Sequence, residues 1–445
     1  MTAEAPIAAE SVAAPSIWRS AISTIGSRAI DIPSRYGFHI LVAWKLGVVD
    51  AGAFYIAFSL LTMAAGLGRL GIDRAMTRDV ARALALGRHG EARSTIRHGM
   101  LMIAGLSLAA GLLLAVLAPF LAEHLFGSPR LERSLILAGV AIVPLCLSAG
   151  AAGALAGLHR LAVSQMIYSW LWPALFCVMA IFLPLSVERA MILLIASTGL
   201  AALLSILLLF RMIPAAATAI PAASPPLLAL GWSLFTTEIV QLLLAGLPGP
   251  VLGIFADEAT VGAYAMAWRL ALVLNLLVVA VAAMVSPRFA DCAAREDSIG
   301  LRRNAAFSLG LVLGMGVGPL AVLAIGAPWL LGLFGPGFAS GATELRLLLL
   351  GQAVLMLSAT APELLGMTGH ERAMRHVNLA AILFYVPALC LLSWLMGGEG
   401  AAVANILAAI VSGGGALWLA QRWLGFTPPA ALIAAIRSRR SMARG

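Results

Sequence analysis

Long apolar blocks run from near residue 17 to near residue 422, each closed by a polar or glycine–proline break. Stretches such as Leu101–Leu121 and Leu270–Val285 are nearly free of charge. About 20 helical residues cross the hydrocarbon core of a bilayer, so blocks of this length predict membrane-spanning helices. A transmembrane β-barrel would show alternating segments of about 10 residues instead. The pattern predicts twelve spans, at 17–46, 50–71, 99–121, 131–157, 163–184, 189–211, 227–253, 260–286, 304–326, 342–366, 377–397 and 401–422. Breakers separate them, among them Gly127-Ser128-Pro129, Pro184, Gly335-Pro336-Gly337 and Gly397-Gly398. The fold class is therefore all-α and polytopic.

Residues 212–226 (MIPAAATAIPAASPP) form the longest Pro/Ala-rich break and fall near the midpoint, a linker composition. Residues 1–15 are Ala/Pro-rich and lack Lys and Arg, which excludes a signal peptide's charged start and predicts a disordered tail. The expected layout is a disordered cytoplasmic tail (1–15), an N-lobe of helices one to six (16–211) and a cytoplasmic linker (212–226). A C-lobe of helices seven to twelve (227–424) and a basic cytoplasmic tail (425–445) follow.

Composition agrees with the pattern: 61% of residues are hydrophobic and 11% charged. A soluble domain carries about 25% charged residues. The net charge of +9 comes almost wholly from arginine, since Lys45 is the only lysine. In a soluble protein such basicity would point to nucleic acid. Here the arginines sit in short loops, so no nucleic-acid partner is expected. The loops after even spans and the C-terminal tail hold nineteen Lys and Arg, against four (Lys45, Arg130, Arg133, Arg189) on the other side. That bias puts both termini and the linker in the cytoplasm of an inner (cytoplasmic) membrane. The clustered arginines would also meet anionic membrane lipids. The four cysteines lie far apart, which excludes a disulfide framework or a metal site.

The two halves resemble each other. Gly52-Ala53-Phe54-Tyr55-Ile56-Ala57 opens span two, and Gly262-Ala263-Tyr264-Ala265-Met266-Ala267 opens span eight, 210 residues later. At the same offset Arg78 matches Arg288 and Arg93 matches Arg303. Equivalent spans point the same way, which predicts two six-helix lobes related by an axis along the membrane normal, with a central cavity between them.

No P-loop, dinucleotide glycine fingerprint, HExxH or G-x-S-x-G motif is present, and no loop is long enough for a catalytic domain; an enzyme is not expected. The informative feature is charge inside the spans, which is costly in lipid and normally faces a cavity or a partner. Arg28, Asp31 and Arg35 share one face of span one, and His39 continues the stripe. Its alternative reading is a surface stretch preceding a later span. Arg269 lies one-third of the way through span eight, either facing substrate, snorkelling to the outer interface, or paired with Glu238 or Asp31. Arg69, Arg346, Glu363, and Glu238 with Gln241 in span seven are further candidates. Trp170, Trp172 and Trp268 fit packing or interface anchoring. Guanidinium forks match phosphate oxygens, so the set predicts an anionic substrate bound by Arg28, Arg35, Arg269, Arg69 and Arg346, with Asp31 and Glu238 as coupling or counter-ion groups.

The segment Leu46-Gly47-Val48-Val49-Asp50-Ala51-Gly52-Ala53-Phe54-Tyr55 resembles the start of span two in polysaccharide flippases. Gly68-Arg69-Leu70-Gly71 is similar to that family's exit from the same span. Val261-Gly262-Ala263-Tyr264-Ala265-Met266-Ala267-Trp268-Arg269-Leu270 resembles its "G-x-Y-x-x-A-x-R-L" motif. Ser286-Pro287-Arg288 and Leu333-Phe334-Gly335-Pro336-Gly337-Phe338 look like its later loops. The resemblance covers roughly 17–422 and points to the Wzx-type flippases of the multidrug/oligosaccharidyl-lipid/polysaccharide exporter superfamily. It implies movement of undecaprenyl-pyrophosphate-linked oligosaccharide, a precursor of O-antigen, capsule or exopolysaccharide, across the inner membrane. It also implies a cationic cavity, H+ or Na+ coupling without another cofactor, and a polysaccharide polymerase and chain-length regulator as partners. Arg269 falls on the motif itself. An ion-coupled multidrug/cation antiporter of the same superfamily is the alternative.

Overall fold

The computed structural model describes residues 17–213 and 227–442, with the side chains at 17–29, 233, 236–238, 241 and 438–442 left out of the description. The expected tail at 1–15, most of the linker and the last residues lie outside this range. Every regular element among the described residues is helical.

The N-lobe begins with α1 (Ile17–Arg69), which is a hairpin and not a rod. Gly47 reverses it with φ 74°, a conformation that glycine adopts without steric cost. The Tyr55 hydroxyl donates to the carbonyl of His39 at 3.2 Å, although sixteen residues separate them. A straight helix would hold them about 24 Å apart. On the arginine-rich side follows α2 (Ile72–Ala85), a short helix that buries Ile72, Ala75, Met76 and Val80 and leaves Arg74, Arg78 and Arg82 on its polar flank. Next come α3 (His89–Phe120), continued by a wider π turn, α4 (Leu131–Gly157), the broken pair α5 (Leu161–Gln165) and α6 (Leu171–Ile181), and α7 (Val187–Met212).

The C-lobe repeats this order. Span seven is α8 (Leu227–Gly246) with α9 (Pro248–Phe255), and α10 (Glu258–Ala294) is span eight with its extension. Then come α11 (Ser298–Ile325), the short α12 (Ala327–Gly332), α13 (Ala342–Ser358) with α14 (Ala361–Met367), and α15 (Glu371–Leu424). A second hairpin forms within α15 at Gly397, φ 58°. Ser412 Oγ donates to Asn378 Oδ1 at 3.3 Å across it. A last helix, α16 (Pro428–Met442), follows.

Nine helices among the described residues are long and apolar enough to cross a membrane. Two of these nine are the hairpins and cross twice, and α8–α9 supplies one further crossing. That gives twelve spans in two six-helix lobes. Where Gly47 turns the first lobe, Asp257, 210 residues on, turns the second by capping α10, its carboxylate accepting from Thr260 N at 3.0 Å. The carboxylate's pKa is held below its ordinary value chiefly by that Thr260 hydrogen bonding. Lys45 donates to the carbonyls of Ala180, Ile181 and Leu183 at 2.6–2.9 Å, closing the carboxyl end of α6.

Candidate functional site

The lobes meet most tightly on the side opposite the arginine-rich loops. A Cβ on Gly52 would collide with the Glu258 carbonyl, and a Cβ on Gly262 would collide with that of Val48. Each member of one contact is the repeat partner of a member of the other, so one patch is used twice about a two-fold axis. This explains why both motifs begin with glycine: the helices touch backbone to backbone there. The flanking loops follow the same symmetry. Ser128 Oγ donates to Glu258 Oε1 at 2.8 Å, and a Cβ on Gly337 would lie 2.6 Å from Val48. Arg130 of the N-lobe pairs with Glu258 of the C-lobe, and its Nη1 stands 3.5 Å from Asp50. These contacts seal the far side.

Just below the seal α10 leaves the interface. Seven consecutive residues, 261–267, are buried, whereas 273, 275, 276, 279, 280, 283 and 284 are exposed. Arg269 sits at the point of divergence. Its guanidinium carbon lies 4.0 Å over the Tyr55 ring, and Nη1 donates to the Ala265 carbonyl at 2.6 Å. Its Nε is buried without a hydrogen-bond partner. Among the described residues no carboxylate pairs with it. Asp31 is already engaged by Arg35 at 3.2 Å. A half-buried cation whose Nε has no partner, beside a cavity of about 290 Å³ lined by His39, Tyr55, Thr62, Tyr264 and Trp268, is arranged to receive an anion.

His39, Phe58 and Thr62 also form the wall of a second cavity of about 350 Å³ inside the N-lobe, lined by Arg35, Arg69, Tyr168 and Trp172. A cationic tract therefore leads from Arg269 past His39 to Arg35 and Arg69. Arg69 differs from the others because it is satisfied: Nη1 meets Asp73 Oδ2 at 3.3 Å and Nε donates to the Ala65 carbonyl. Their side chains are 19% and 7% exposed, so the pair is buried and removing one charge strands the other. Asp73→Asn is expected to cost about 3 kcal/mol, read as a lower melting temperature in detergent. An unchanged melting temperature would show that Arg69 has another counter-charge.

The structure brings Arg269, Arg35 and Arg69 together with His39. Arg28 lies on the same helix as Asp31, while its side chain and those of Glu238 and Gln241 lie outside the described set. Arg346 goes elsewhere. It is exposed, and its Nε caps the end of α11 by donating to the Ala324 carbonyl at 3.1 Å, away from both cavities. Glu363 accepts from Ser286 Oγ at 2.9 Å and ties α14 to α10. Trp172 and Trp268 line cavities as well as packing. Sequence reasoning missed Tyr55, whose ring holds Arg269, and the bridge of Arg130 to Glu258. It also missed Glu344, a buried carboxylate of α13 with one oxygen unpartnered. Tyr55 was visible only as a residue of the repeated motif, and Glu344 only as a carboxylate within span ten.

Among solved structures the chain is similar to an inward-facing multidrug resistance MATE family transporter of the MOP superfamily. The TM-score is 0.70 at 15% identity, over 89% of this chain and 97% of that one. It is also similar to the lipid II flippase MurJ in an inward closed conformation, with TM-score 0.67 and 16% identity over 90% and 87% of the two chains. An outward-facing MATE transporter gives 0.56 at 16% identity over 91% and 95%. These likenesses establish a shared fold. No curated protein matches the sequence. The family described as "Polysaccharide biosynthesis protein" matches residues 17–293, well over half of the chain. With its multi-pass fold and its two-lobed repeat, the chain belongs to the polysaccharide biosynthesis protein family.

Proposed function

We propose that this protein carries a saccharide linked to undecaprenyl pyrophosphate across the inner membrane, by alternating access of its two lobes. The observation that supports it best is Arg269, a half-buried guanidinium stacked on Tyr55 beneath the far-side seal, with an Nε that has no partner. A pyrophosphate cannot enter hydrocarbon without its charge being met, and a forked, permanently charged donor meets it. Arg28 and Arg35 extend the cationic surface along span one, and Arg69 stands deeper in the N-lobe. In this reading Asp31, held by Arg35, exchanges a proton or Na+ as the lobes rock, and Glu238 is a second candidate for that role. The arginine bias of the loops favours cytoplasmic termini, which in this reading makes the arginine-rich side the one where such a lipid is loaded. Release on the other side would deliver the saccharide to a polymerase and a chain-length regulator.

Deleting the gene tests this reading. The expected result is loss of a surface polysaccharide with accumulation of its complete lipid-linked repeat unit, both restored by the wild-type chain. Unchanged surface glycan with altered susceptibility to cationic dyes would replace this reading with ion-coupled multidrug/cation antiport.

A further inference from the structure

We propose that the groove between α10, α11 and α16 binds one anionic phospholipid at the arginine-rich membrane surface, apart from the central cavity and independently of the substrate carried there. The groove encloses about 650 Å³, more than either central cavity. Arg288 of α10 and Arg303 and Asn304 of α11 stand at one side, and Phe307, Leu432 and Ile436 line the rest. None of these residues lines either central cavity.

The two cations are left open by their surroundings. Arg288 and Arg303 are exposed and make no hydrogen bond or ion pair among the described residues. Their neighbour Arg302 is used differently. It lies 5.2 Å over the Phe426 ring and donates to the Gly425 carbonyl at 3.5 Å, fixing the chain where α16 begins. α16 then lays Leu432 and Ile436 along the groove, one helical turn apart. Two guanidinium groups beside an apolar channel match a phosphodiester headgroup with an acyl chain below it. A free phosphate would have no use for the apolar walls.

The repeat supplies an internal control. Arg78 and Arg93 are the partners of Arg288 and Arg303 at the 210-residue offset and carry the same charge on the same side. Among the described residues, no helix packs on α3 as α16 packs on α11. Charge is thus common to both lobes, and the groove is particular to the second.

The test uses the delipidated full chain titrated with phosphatidylglycerol and with phosphatidylcholine, with binding followed by native mass spectrometry. The wild type is expected to retain phosphatidylglycerol at least tenfold more tightly than phosphatidylcholine. R288Q/R303Q should weaken phosphatidylglycerol at least tenfold, as should I436D, which sets a carboxylate beside the arginines. R78Q/R93Q should leave binding within twofold. Equal loss in R288Q/R303Q and R78Q/R93Q would overturn the proposal, as would equal retention of the two lipids or wild-type binding by I436D. Displacement by inorganic phosphate as readily as by phosphatidylglycerol, or preferential capture of an undecaprenyl pyrophosphate, would overturn it as well.

Discussion

Replacing Arg269 with methionine raises the melting temperature of the protein and lowers its transport at least tenfold. The two effects have one cause. The Arg269 Nε is buried without a partner, and leaving such a donor unsatisfied costs about 1–3 kcal/mol. Methionine fills similar space with no polar atom, and exchanging a buried charge for a well-packed apolar group is often neutral or stabilising. The rise should be roughly 2 °C. An anion bound at the same atom gains about 1.5–3 kcal/mol from a charged hydrogen bond, which is tenfold to a hundredfold in affinity. Arg269→Lys keeps the charge and loses the fork and the flat stack on Tyr55, so it should fall between wild type and Arg269→Met. Tryptophan-fluorescence melting and a transport measurement on one preparation decide it. A loss of stability together with transport would make Arg269 a packing residue of the interface and no binding group.

Removing Arg130 opens the far side. This arginine joins Glu258 across the lobes and reaches Asp50 on its own lobe. The Arg130 side chain is 51% exposed and that of Glu258 is 14% exposed, so solvent screens the pair in part and its worth is about 1 kcal/mol. Between two lobe arrangements of similar energy, that shifts the populations roughly fivefold. Spin labels at His124 and Trp329, exposed on the far side of the two lobes, report the change. Arg130→Ala should raise the long-distance population severalfold, high salt should move the wild type the same way, and the exchange R130E/E258R should restore the short distance. Identical distance distributions in wild type and Arg130→Ala would mean that the glycine contacts alone hold the seal.

Both effects arise at or beside an interface whose symmetry is legible in the sequence. The repeats at Gly52 and Gly262 follow from sequence because a helix pair in backbone contact admits glycine and little else. The spans were equally plain, since hydrocarbon tolerates only long apolar helices. Their ends were less so. α3 begins ten residues before the apolar block, because an amphipathic turn continues a helix into the headgroup layer at no hydrophobic cost. Residues 428–442 read as a basic tail, and they form a helix whose apolar face meets α11.

The site was legible in its charges and not in its pairings. Arg269 stood out as a cation in an apolar run, yet nothing in the chain order links it to Tyr55, 214 positions away. Asp73 as the counter-charge of Arg69 was within reach, being one helical turn further on. Arg346 misled because depth along a span does not say which face a side chain takes. It lies near the outer end of its helix and is occupied by a carbonyl of the neighbouring one. Arg130 and Glu258 looked like ordinary loop charges, and only the packing of the two lobes makes them a bridge.

The central claim is that the cavity below the seal carries a pyrophosphate-linked saccharide from one leaflet to the other. Its most direct test reconstitutes the purified chain in liposomes with a fluorescent undecaprenyl-pyrophosphate disaccharide and follows access of a membrane-impermeant quencher to the inner-leaflet label. With wild-type protein the protected half of the label should become accessible, and with Arg269→Met at least tenfold more slowly. A protected fraction that stays as in protein-free liposomes, while the same vesicles exchange an organic cation, would contradict the account.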